Sequence, residues 1–148
     1  MKKIISLALA ILLAACTSGA SNEYDQNLEK WQNANIDHYR YTLFIGCFCP
    51  FTQDMPLTIE VQNGEVVSIR KADGTLVESS DPSHQYYLPY AAIDRIFAEL
   101  KSDLAEADEV LVSYDATHGY PTTIAIDQIK NAVDDELSLK ISDFEVLP

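Results

Sequence analysis

Two cysteines one residue apart, in Cys47-Phe48-Cys49-Pro50, are the first place where the residue types of this chain suggest chemistry. In a regular strand the Cβ atoms of residues i and i+2 stand about 7 Å apart, against roughly 3.5 to 4.5 Å in a disulfide. A bond between Cys47 and Cys49 therefore requires the strand to end or kink here. Gly46 before the pair and Pro50 after it are what such a bend would use, since glycine tolerates unusual dihedrals and proline withholds a ladder hydrogen bond. The pair can be a structural disulfide that pins the strand end, a thiol redox site of the Cys-x-Cys kind, or a soft-metal site for copper(I) or zinc. A bridge to another chain is the remaining use. No Lys, Arg or His adjoins the pair in sequence to lower a thiol pKa, and no third and fourth metal ligand follows at the usual spacing.

Other candidate groups are weaker. Asp127, Asp134, Asp135 and Glu136 could clasp calcium through carboxylate oxygens, but they lack the alternating D-x-D-x-D-G loop of a strong calcium motif. The plainer reading is a solvated turn in which Asp134 or Asp135 bonds to backbone amides. Asp134, Asp135, Glu136 and the aromatic ring of Tyr120, in Gly119-Tyr120-Pro121, are candidates for contact with a partner, although half-buried packing is the plainer reading of Tyr120. No hydrolase set is present: Ser113 and Ser138 lack a nucleophile-elbow context, and His38, His84 and His118 have no i, i+4 pairing. A non-catalytic protein without a cofactor is the expectation.

Cys16 stands apart from the other two. It ends the run Leu13-Ala14-Ala15-Cys16, behind the basic Lys2-Lys3 and the apolar stretch from Ile4. This closely resembles a bacterial lipoprotein signal peptide. The resemblance implies cleavage before Cys16, acylation of its thiol and attachment to a lipid bilayer through it. The apolar stretch is too short for a transmembrane helix, which needs about 20 residues. Two or three acyl chains would hold the protein on the membrane, whereas one alone is marginal. Thr17 stands where an Asp would favour inner-membrane retention in enteric-type lipoproteins, so the expected place is the periplasmic face of the outer membrane in a host with two membranes. The organisation expected is a signal peptide over 1–15, a lipidated cysteine and short tether over 16–22, and a single domain over 23–148.

The chain has 148 residues, with 10 basic and 23 acidic side chains and a formal net charge of −13. Lys2 and Lys3 fall in the leader, so the remainder is more acidic still, about −15. Such a surface repels nucleic acid and anionic headgroups and argues against both as partners. Solubility alone accounts for it, or else an acidic face aimed at a basic partner or divalent cations.

The elements that must carry these residues are legible from periodicity. Tyr24, Leu28 and Trp31 at i, i+4, i+7 predict a helix over roughly Glu23 to Asn33, with Trp31 in its core stripe. From His38 the period is two, through Tyr39, Tyr41, Leu43, Ile45 and Cys47. Leu57 to Arg70 reads as a hairpin around Asn63-Gly64. A three-residue loop with a bulge behind Gly64 is preferred, because it pairs Ile59 with Val67 and Leu57 with Ile69. Thr75 to Glu78 could add a short strand. Pro89 is placed in the first turn of a second helix, with Ile93, Ile96, Phe97, Leu100 and Leu104 as its inner stripe. Strands over Glu109–Asp115, Thr122–Asp127 and Ser138–Val146 follow, the last with a break at Asp143. The order predicts an α+β fold: an antiparallel sheet with two helices packed on one face, readable as two α-β-β(-β) halves. The halves share no clear motif, so a duplication is one option only.

From Trp31 onward the chain resembles DUF6174, a family of small bacterial lipoproteins and secreted proteins without an assigned function. The resemblance rests on the Trp31 helix leading into Tyr39-Arg40-Tyr41, the Cys47-Phe48-Cys49 element and the Val61-Gln62-Asn63-Gly64-Glu65-Val66 hairpin. It continues through Tyr114-Asp115, Gly119-Tyr120-Pro121-Thr122, Ile126-Asp127 and Asp134-Asp135-Glu136. It implies a secreted or envelope α+β domain and carries no catalytic residues. The functional expectation is thus a membrane-anchored envelope module that binds an envelope protein or other component. The alternative is a thiol-redox or copper-handling lipoprotein using Cys47 and Cys49.

Overall fold

The alternation beginning at His38 lays down a central strand, and the rest of the sheet is built outward from it. The computed structural model describes residues 17–148. Strand β1 (His38–Gly46) turns Tyr39, Tyr41, Leu43 and Ile45 inward, while Arg40 and Phe44 face solvent. Strands β2 (Leu57–Gln62) and β3 (Glu65–Arg70) continue as a hairpin. Strands β4 (Glu109–Tyr114), β5 (Pro121–Asp127) and β6 (Glu136–Val146) form a second meander. Together they make one antiparallel sheet in the order β3-β2-β1-β6-β5-β4.

Helix α1 (Thr17–Ala34) starts earlier than its apolar stripe demands, so Thr17 to Asn22, read from the sequence as a tether, are helical. It ends where Asn35 takes a left-handed conformation, a residue type that tolerates it. Helix α2 (His84–Tyr87) is a single turn, and α3 (Ile93–Glu106) buries Ile93, Ile96, Phe97 and Leu100. Tyr24 and Trp31 of α1 meet α3 and the sheet: the Tyr24 ring lies edge-on to Phe97, and the Trp31 ring edge-on to Tyr39. Trp31 Nε1 donates to Asp94 Oδ1 at 3.1 Å, tying α1 to the first turn of α3. Both long helices cover the same sheet face, as the α+β expectation had it. Among the described residues, no helix is long and apolar enough to cross a membrane.

The hairpin differs from expectation in where its extra residue lies. Asn63 and Gly64, both at positive φ, form a two-residue turn flanked by Gln62 opposite Glu65. Two left-handed residues match the strand twist, which favours this turn. The bulge sits inside β3, where Val67 is unpaired and 55% exposed, so Val61 faces Val66 and Ile59 faces Ile69 rather than Val67. Register is still set by the buried pattern, but one bulge restores it after a tight turn. At Asp143 the same device operates: Asp143 and Phe144 together oppose Tyr41. The extra residue, Asp143 at φ +52°, lets Phe144 turn inward.

Two further expectations are corrected. Pro89 lies in a short 3-10 turn, Leu88–Tyr90, and α3 starts only at Ile93. The chain bends between them to bring Tyr90 O to the Tyr41 hydroxyl, which donates to it at 2.8 Å. Thr75 to Glu78 form no strand; Leu76 makes a single bridge to Arg70 at the edge of β3. As for duplication, β1 is central, β4 is an edge, and they run in opposite directions. Superposing one meander on the other would turn the sheet over and carry its helix to the wrong face.

Candidate functional site: the open sheet face and the disulfide loop

Strand alternation sends every second residue away from the helices, and the pairing register arranges these outward residues into rows across β4, β5, β6 and β1. Leu111 pairs with Ala125, Ala125 with Ser138, and Ser138 with Gly46. The next row toward the β4 start is Glu109, Asp127 and Glu136. On the other side run Ser113, Thr123, Lys140 and Phe44. Small side chains in the middle row leave a trough of about 210 Å3, its lining mostly apolar and including Leu111, Ala125 and the three carboxylates. Leu111 is 63% exposed.

Gly46 contributes space here rather than unusual dihedrals. It lies within β1, and a Cβ on it would run into Ser138 Oγ, which donates to the Gly46 carbonyl at 3.3 Å. Like charges directly opposite on neighbouring strands repel, so the acidic row costs stability. Loss of hydration, followed by the charges of Asp135, Glu136, Glu109 and Asp108, holds the Asp127 carboxyl above its ordinary range.

At the same end of the sheet, just beyond β1, Cys47 and Cys49 form a disulfide with Cα atoms 5.2 Å apart. Strand β1 ends after Gly46, so the two cysteines lie outside the regular ladder and are free of the extended geometry that would hold them apart. The small ring presents Phe48 outward, 83% exposed. Behind it, Thr52 Oγ1 donates to the Cys49 carbonyl at 2.8 Å, and Phe51 packs on Tyr86 and Tyr87. A cleft of about 370 Å3 follows, lined by Pro50, Phe51, Gln53, Asp54, Lys71 and Tyr86 among others. Its charged groups are paired. Lys71 Nζ bridges Asp54 at 3.1 Å and Asp81 at 3.2 Å, and the Tyr87 hydroxyl donates to Asp54 at 2.7 Å. Burial, then the bond to Asp54, pushes the Tyr87 phenol up to about 12. These contacts clip the disulfide loop to β3 and to the loop before α2.

The other candidates fall in different places. Cys16 lies outside the described residues. Tyr120, considered as an exposed contact residue, is only 8% exposed and stacks on Phe144 with centroids 4.5 Å apart. It belongs to the aromatic core with Trp31. Asp135 holds the β5–β6 loop, accepting the Ile129 amide at 2.8 Å, and Asp134 stands exposed at positive φ. Among the described residues, no three His, Cys, Asp or Glu side chains converge to hold a metal ion. Only Asp127 and Glu136 of the acidic candidates join the trough. Glu109, Leu111 and Ala125 were missed, although Leu111 carried a signal: it is apolar in phase with the polar Glu109 and Ser113.

No curated protein matches the chain. A family match extends from the first half of α1 to the end of β6, taking in the disulfide, the hairpin and both rows of the trough. With its model matching residues 23–146, the chain belongs to DUF6174, a family of unknown function.

Proposed function

We propose that this protein is a non-catalytic binding module of the bacterial cell envelope, anchored to the lipid bilayer through acylated Cys16 and contacting its partner through the open face of the sheet. One observation carries the reading. Among the described residues the helices cover one face only, and the other face combines an apolar trough and exposed Phe44 with a row of three like charges that the fold itself does not need. Unfavourable surface patterning of this kind is expected where binding is selected over stability.

The anchor is tested by labelling the full chain with an azido-palmitate in a bacterial host. Label in the wild type and none in Cys16→Ser supports it; equal label in both sinks it. The binding face is tested by photo-crosslinking in cells from position 44, with exposed position 99 on α3 as control. A discrete adduct from 44 alone supports the module.

A thiol-redox role is the second reading, favoured by the position of the Cys47–Cys49 ring at a loop tip with an exposed aromatic between the sulfurs. Titration of the full chain in glutathione buffers, read by thiol trapping and intact mass, tests it. Exchange at a mild potential favours redox chemistry, whereas a bond that resists the buffer counts against it.

A further inference from the structure

We infer that the partner is a protein that contributes an extended cationic segment, which adds to the edge of β4, left open by the described residues, as a seventh strand and sets a Lys or Arg side chain beside Glu109, at the near end of the row that continues through Asp127 and Glu136. The inference rests on the binding-module reading and names the occupant.

The two edges of the sheet are finished differently. On β3 the Val67 bulge interrupts the ladder, and the chain returns to cover the far half, with Leu76 bridging Arg70 and the Val77 amide donating to Ile69 O at 2.8 Å. Such interruptions and covers are how proteins blunt an edge. Strand β4 is terminal in the sheet order and carries neither Lys nor Pro. Its register to β5 is regular from Glu109 to Ser113. An edge left regular and uncharged by cations offers backbone hydrogen bonds to an added strand. Leu111 and the trough beside it offer the apolar contact.

Charge selects among occupants. A second copy of this chain would bring its own Glu109 and a net charge of −13 against the same groups, which disfavours self-pairing. An acidic segment or an anionic lipid meets the same repulsion. A segment with a basic and an apolar residue two positions apart satisfies all three features, because residues i and i+2 of an added strand face the same side, as Glu109 and Leu111 do on β4.

The test uses the full chain in detergent micelles and a fluorescent six-residue peptide, Lys-Thr-Val-Thr-Lys-Thr, whose lysines and valine share one strand face, with the same peptide carrying glutamate in place of lysine as control. Fluorescence anisotropy should report binding of the lysine peptide alone, weakened about tenfold between low and high salt. Two surface variants separate the components: Leu111→Gln at the edge, which removes the apolar contact without adding charge, and Glu109→Gln with Asp127→Asn and Glu136→Gln at the row. Loss of at least tenfold in both supports the inference. Binding that survives Leu111→Gln but fails in the neutralised row means a polycation on an acidic patch and overturns edge addition. No binding, or a concentration-dependent dimer broken by Leu111→Gln, overturns it too. Crosslinking in cells distinguishes the two levels of failure: an adduct from position 44 with none from 111 refutes the β4 site and keeps the module, whereas none from either refutes both.

Discussion

At the scale of single residues, the positions that looked chemical and those that prove demanding are largely different. Gly119 is an example of the second kind. It sits at φ +82°, and a Cβ there would stand 2.5 Å from the Asn27 carbonyl oxygen and 3.0 Å from Lys30 Cβ. The clash is with α1 backbone, which cannot swing aside as a side chain would. Gly119→Ala should cost about 2–4 kcal/mol, from left-handed strain and overpacking together, measurable as a lowered midpoint in urea unfolding. The disulfide is the opposite case, legible at once as a pair because Cys47 and Cys49 had each other and a bend-forming Gly and Pro beside them. Yet the role assigned to Gly46 changed, since the space it leaves for Ser138 depends on β6 lying next to β1, a neighbour 92 residues away.

At the scale of elements, periodicity located almost every helix and strand, while their ends and irregularities were settled by partners distant in sequence. The N-terminus of α3 is capped by no local side chain; the Tyr39 hydroxyl, on β1, accepts the Ile93 amide at 3.0 Å. Tyr39→Phe keeps the ring and leaves that amide unpaired in the core, an expected cost of about 1–3 kcal/mol. Amide exchange at Ile93 should accelerate in the same variant, which a general loss of packing would not single out. At the β6 bulge, Asp143 holds a left-handed conformation that Asp and Asn tolerate and β-branched residues resist. Asp143→Asn should be nearly neutral in thermal unfolding, whereas Asp143→Val should lose about 1–2 kcal/mol. Neither bulge is marked by residue type; phase alone reveals them, because apolar residues on either side would otherwise be out of step with the core, and phase places the break at Asp143 but not the hairpin bulge at Val67.

At the scale of the whole molecule, the termini of the sheet are joined by an ionisable clasp. His38, opening β1, places Nδ1 2.9 Å from the Pro148 carbonyl and Nε2 3.1 Å from Glu60 Oε1. Both ring nitrogens face acceptors, so both bonds form only in the imidazolium, and the bond to Pro148, then that to Glu60, raises the His38 pKa above its ordinary 6.5. A raised folded-state pKa gives a contribution fully present below the unfolded value and lost as pH rises through the folded one. Stability should therefore fall above about pH 6.5 in the wild type, and His38→Gln should remove that step, as thermal midpoints across pH would reveal. The sequence by itself determined the α+β class, the two helices on one face, the identity of the core stripes and the adjacency of the two cysteines, because all of these follow from local period and spacing. Only the tertiary structure decided the strand order, the position of the hairpin bulge at Val67, the burial of Tyr120 and the alignment of Leu111, Ala125, Ser138 and Gly46 into one row beside three carboxylates. Rows across a sheet depend on which strands are neighbours and in what register, and that is fixed by packing between segments far apart in the chain.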